Sequence, residues 1–160
     1  LLEAAEVLIN HGMSLAPLSA EEIFIDDEEE PRVRLRYDAA ASPDAPPPCD
    51  ATSKWLSPEE AVCAAVRWPS VAFRAGLLLY CMGACTADPY PQNRGNLVLL
   101  DLQREVSGAS APVRPDMAQY SGPQELRELV QSCLAPRAEE RPGPEALRAV
   151  ASRLLSAAAF

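Results

Sequence analysis

The stretch VAFRAGLLLYCM, residues 71–82, decides the fold. Its apolar side chains stand at Val71, Ala72, Phe73, Ala75, Leu77, Leu78, Leu79 and Met82, which point in nearly every direction around a helix. A helix without a polar face is buried on all sides. One such helix in the middle of the chain requires a layer of other elements around it, and the flanking sequence supplies them.

Downstream, Pro89-Tyr90-Pro91 breaks the chain. Asn96 is read as the cap of the next helix, with Leu99, Leu102 and Val106 as its buried stripe and Gly108 at its end. Two amphipathic helices follow. The first carries Leu126, Leu129, Val130, Cys133 and Leu134 at spacings of three and four. The second, opened by Pro144, carries Leu147, Val150, Ala151, Leu154 and Leu155.

Upstream, Ser57-Pro58-Glu59-Glu60 opens a short helix. Serine at the N-cap, proline in the first turn and glutamate three residues after the serine form a capping box. Residues 38–53 are mostly Ala, Pro, Ser and Asp, stiffened by Pro46-Pro47-Pro48, and read as a loop. Ile23-Phe24-Ile25 and the run Val33 to Tyr37 read as strands, joined by the acidic turn at residues 26–31. Leu1, Leu2, Ala5, Leu8 and Ile9 share one face of a helix that His11-Gly12 ends. The expected fold is mainly α: a helical bundle around one buried central helix, with a small β-hairpin, in a single domain over residues 1–160.

Composition narrows the function. The formal net charge of -9 argues against a nucleic-acid surface, which clusters Lys and Arg on one face. Five cysteines without a C-x-x-C pair, together with the lone His11, supply a zinc site poorly. They read as reduced thiols, several of them in the core, including Cys81 and Cys85 on the central helix. No apolar run reaches the ~18 residues of a membrane span. The expectation is a cytoplasmic protein in a reducing compartment that binds neither nucleic acid nor membrane.

Three local stretches carry a family resemblance. Lys54-Trp55-Leu56-Ser57-Pro58-Glu59 resembles the W-x-A-P-E end of the activation segment in tyrosine and tyrosine-like protein kinases. Phe73 to Met82, followed by Pro89-Tyr90-Pro91, resembles the central helix of the kinase C-terminal lobe and the proline-aromatic element after it. Leu126 to Leu134, Pro136 and then Glu140-Arg141-Pro142 resemble the end of that lobe, where a late helix precedes an R-P pair. The order and spacing are similar to those of the C-terminal lobe of eukaryotic protein kinases. By this resemblance residues 1–160 start partway into the lobe's first long helix, residues 38–54 form a degenerate activation segment, and the N-terminal lobe is absent from these residues.

The same resemblance implies that catalysis has been lost. On the H-R-D-L-K-P-x-N catalytic loop, Leu15 stands for the histidine, Ala16 for the arginine and Pro17 for the catalytic aspartate. Ser19 stands for the lysine and Glu22 for the metal-binding asparagine. Phosphoryl transfer needs a carboxylate to orient the hydroxyl and Mg²⁺ to neutralise the phosphates. Pro17 accepts no proton, and Ser19 offers no cation. The D-F-G metal motif falls on Tyr37-Asp38-Ala39, where a slip of one residue puts Asp38 in the metal position. The aspartate of the central helix is replaced by Val71. Glu59 and Arg141 occupy the positions of an ion pair that holds the kinase lobe together.

The expected function is therefore that of a catalytically inactive pseudokinase-type domain, with no cofactor, that acts as a scaffold or allosteric partner of another protein. The kinase non-catalytic C-lobe domain is a relative of this idea, and the acidic charge balance suits a basic segment on the partner. Two alternatives stand beside it. One is a residual nucleotide-binding protein with Asp38 and Glu22 as metal ligands, and the other is a structural subunit of a large assembly.

Overall fold

The computed structural model describes residues 54–62, 67–93 and 95–158, together with the backbone of four short strands in the N-terminal third. The described residues are mainly helical. The strands are β1 (Ser14–Leu15), β2 (Ile23–Ile25), β3 (Val33–Leu35) and β4 (Ala40–Ala41). They form two antiparallel pairs, one nested inside the other. Ile23 faces Leu35 and Ile25 faces Val33 in the inner pair, while Ser14 faces Ala41 and Leu15 faces Ala40 in the outer pair. The turn expected between β2 and β3, and the helix expected before Gly12, lie outside the described residues.

The central helix, α2 (Trp68–Ala84), is longer at both ends than the stretch that announces it. Pro69 sits in its first turn, where no intrahelical N–H is needed. Cys85 ends it in the left-handed conformation, with φ 50°, and Thr86 N–H donates back to the Cys81 carbonyl at 3.0 Å. Val71, Ala72, Phe73, Leu77, Tyr80 and Cys81 are buried, as the apolar pattern requires. Two residues depart from it. Met82 is 74% exposed, because it stands on the side of the last turn away from Tyr120, which lies against Gly83. Arg74 is buried in the middle of the helix, so the helix does carry a polar group.

A short helix, α1 (Pro58–Ala61), precedes α2 and is built on the expected capping box. Glu60 N–H donates to Ser57 Oγ at 3.3 Å, and Ser57 N–H donates to Glu60 Oε2 at 3.0 Å. Helix α3 (Gly95–Val106) packs on α1, where Gln103 Nε2 donates to the Ala61 carbonyl at 2.8 Å. Val98, Leu99 and Leu102 form its buried face. Asn96 is the second residue of α3 rather than its cap, and Val106 is 49% exposed because it lies at the end of the helix, beyond the contact with the core. Gly108 closes the helix with φ 72°.

Helix α4 (Gln124–Cys133) lies across α2 and buries Val130, Cys133 and the following Leu134. The approach is close because Gly76 faces it: a Cβ at that position would stand 2.7 Å from Cys133 Cβ. The last helix, α5 (Pro144–Ala158), buries Leu147 against Ala72 and Cys133. Ala151, expected on its apolar stripe, is exposed. The main core thus gathers Trp55, Leu56, Phe73, Leu77, Tyr80, Tyr90, Val98, Leu102, Tyr120 and Leu134 around α2.

Candidate functional site

α1 places two adjacent carboxylates, Glu59 and Glu60, which point to different parts of the protein. Glu59 meets Arg141, 82 residues along the chain, through two parallel hydrogen bonds. Arg141 Nη1 donates to Glu59 Oε2 at 2.8 Å and Nη2 to Oε1 at 2.9 Å, the fork geometry that suits a guanidinium. The remaining Arg141 donors reach backbone carbonyls: Nε to Ala135 at 2.9 Å, Nη1 to Pro69 at 3.1 Å and Nη2 to Pro136 at 3.3 Å. The Arg141 side chain is fully buried, and every donor of its guanidinium is used. Burial alone would raise the Glu59 carboxyl. The hydrogen bonds and charge of Arg141 outweigh burial and hold it below the usual carboxylate range.

Glu60 turns inward instead. Its Oε2 accepts both the Ser57 N–H of the capping box and Arg74 Nε, each at 3.0 Å, and its other oxygen contacts the same guanidinium. One carboxylate therefore caps α1 and also compensates the charge inside α2. Burial lowers the Arg74 guanidinium to about 9, which leaves it protonated at neutral pH. This pair escaped the sequence reading, although a lone arginine among eleven apolar or small residues was the available signal.

A third bridge joins α3 to the loop before α4. Arg114 Nη1 and Nη2 donate to Glu105 at 2.9 and 2.7 Å, and Glu105 Oε2 also accepts the Val113 N–H at 3.0 Å. Arg114 Nε donates to the Leu134 carbonyl. Arg114 and Arg141 thus take the successive carbonyls of Leu134 and Ala135 at the C-terminal end of α4. There the helix leaves carbonyls without intrahelical partners and favours positive charge. Glu59 and Glu105 also line a groove of about 350 Å³, together with Pro58, Val106, Pro112 and Arg137. At the start of the described C-terminal part, Lys54 pairs with Asp88 and donates to the Tyr90 carbonyl at 2.9 Å.

The structure therefore brings Glu59 and Arg141 together. Leu15 lies on β1, where its backbone pairs with Ala40. Ala16, Pro17, Ser19, Glu22, Tyr37, Asp38 and Ala39 lie outside the described residues, as does His11. Val71 is buried in the core. Cys81 and Cys133 are buried free thiols, each pushed up to about 12 by burial, whereas Cys85 is exposed at the end of α2 rather than packed along it. Among the described residues no group of three His, Cys, Asp or Glu side chains is arranged to hold a metal, and no helix is long and apolar enough to cross a membrane. No protein-family model matches the chain, and no curated protein matches it.

Chemically, the carboxylates of this region are occupied. Glu59, Glu60 and Glu105 each accept from an arginine, and Glu59 is a weaker base than a free carboxylate. The arrangement fixes helices relative to one another. It suits a rigid surface better than proton transfer.

Proposed function

We propose that this chain is the C-terminal lobe of a kinase-like fold that has lost phosphoryl transfer and works as a protein-interaction scaffold. The observation that carries the reading is the Glu59–Arg141 bridge. It ties the end of the activation-segment-like stretch to the R-P ending, the positions at which the resemblance implies an ion pair. The nested strands add support. The Leu15–Ala40 pairing is in keeping with that reading, in which Leu15 begins the degenerate catalytic loop and Ala40 follows the degenerate metal motif Tyr37-Asp38-Ala39. A kinase needs those two motifs at one site, because both attend the same phosphates.

On this reading the framework persists and the chemistry is gone. Leu15, Ala16, Pro17 and Ser19 lack the carboxylate and cation that phosphoryl transfer requires, and Val71 replaces an aspartate with core packing. The domain is not an enzyme and needs no cofactor. It binds another protein, and the net charge of -9 favours a basic segment on that partner.

The test is thermal unfolding of the protein with millimolar ATP and Mg²⁺. A ligand that binds only the folded state at ~100 times its Kd adds about 2.7 kcal/mol. The scaffold reading expects no shift. A clear shift that disappears in Asp38→Ala would overturn it in favour of a nucleotide-binding protein with a rearranged metal site.

A further inference from the structure

Two of the bridges converge on one aromatic ring. Arg114 Cζ lies 5.0 Å and Arg141 Cζ 4.9 Å from the centroid of Phe73, which is fully buried on α2. The carboxylate partners of these arginines stand on different helices, Glu59 on α1 and Glu105 on α3, and both line the same groove. Each guanidinium is held in three ways: by its carboxylate, by a carbonyl at the end of α4, and by the face of the ring.

We propose that Phe73 joins the Glu59–Arg141 and Glu105–Arg114 bridges into one cooperative unit, so that α1 and α3 hold the groove at a fixed width and a disturbance at one wall reaches the other. The physical basis is the shared contact. An arginine that loses its carboxylate keeps its backbone carbonyls but shifts over the ring, and the ring then repacks against the arginine whose bridge remains. Interiors are close-packed, so a ring shift is felt by whatever lies against it. Direct contacts between α1 and α3 exist as well, including Gln103 to the Ala61 carbonyl, so the test must separate the ring from those.

The experiment is a double-mutant cycle in the full 160-residue chain, read by urea unfolding of Glu59→Gln, Glu105→Gln and the double variant. Independent bridges would multiply their effects on the unfolding constant. A cooperative unit makes the double variant fall short of that product by roughly threefold or more. A result equal to the product, or larger than it as simple repulsion between the two carboxylates would give, overturns the proposal. Repeating the cycle in Phe73→Leu should abolish the shortfall, and a shortfall that persists there shows that the ring is not the link. A second readout, independent of how well Phe73→Leu folds, is hydrogen exchange at Arg114 Nε–H by NMR. It should speed up roughly threefold or more in Glu59→Gln. Unchanged exchange counts against the coupling.

Discussion

Arg74 and Glu60 face each other inside the protein, with only 2% and 5% of their side chains exposed. The contact places a charge in the most apolar helix and answers it from a four-residue helix fourteen positions earlier in the chain. Burying two charges is costly in itself, and the pair is tolerated because each group neutralises and hydrogen-bonds the other. Its stability role is therefore lopsided: the intact pair contributes little, whereas half a pair is worse than none.

That asymmetry gives the first prediction. Arg74→Met leaves the Glu60 carboxylate buried without its cation and should cost about 3–5 kcal/mol. Adding Glu60→Gln removes the stranded charge, so the double variant should recover at least ~1 kcal/mol of that loss. Urea unfolding of the two variants checks it. A double variant no more stable than Arg74→Met would mean that the charge on Glu60 is not what makes the single change harmful.

The second prediction concerns pH. Arg141 holds the Glu59 carboxyl below the ordinary glutamate range in the folded state. A depressed folded value means that the unfolded chain takes up the proton first, so stability falls as the solution is acidified. The contribution of Glu59 is fully present above the unfolded value, about 4.3, and is lost as pH falls through the folded one. The stability difference between the wild type and Glu59→Gln should be constant from pH 6 to neutrality, on the order of 1–3 kcal/mol, and should shrink below ~4.5. A difference that does not change with pH would show that the carboxylate charge contributes nothing.

Gly76 sets two effects against each other. In an exposed helix, glycine to alanine gains about 1 kcal/mol from propensity. Here the new methyl would stand 2.7 Å from Cys133 Cβ, an atom held by the α4 backbone rather than by a movable side-chain tip. Overpacking of this kind costs about 1–3 kcal/mol, so Gly76→Ala should be destabilising overall, and the change in thermal midpoint reads the sign.

Cys85 is the reverse case. It holds a left-handed conformation at the end of α2, with φ 50°, and its side chain is exposed. An L-residue there pays about 1 kcal/mol relative to glycine. Cys85→Gly should therefore raise stability by about that amount, with the denaturant midpoint as the measurement. A fall in stability would mean that the thiol makes a contact worth more than the strain.

Much of the helical order was legible in the residues. The capping box needed only Ser57, Pro58 and Glu60 at their fixed spacing, because its bonds are made within one turn. The buried stripe at Val130, Cys133 and Leu134 and the closing role of Gly108 are equally local. Boundaries and end residues fared worse. Asn96 lies inside α3, and Met82, Val106 and Ala151 are exposed although their spacing fits a buried face. Periodicity says which residues share a face, but not which parts of each face the neighbouring elements cover.

By itself the sequence determined that a mainly helical chain would gather around residues 71–82, because hydrophobic spacing and capping act over a few residues. Only the tertiary structure decided how the charges are disposed. Whether Arg74 is tolerable depends on Glu60, and whether Arg141 is fully satisfied depends on Glu59 and on carbonyls at 69, 135 and 136. The convergence of Arg114 and Arg141 on Phe73 depends on two loop residues, one on each side of α4, reaching the same ring of α2. Desolvation makes each of these charges costly unless a partner arrives, and partners 9 to 82 residues away, on other elements, arrive only when the chain folds.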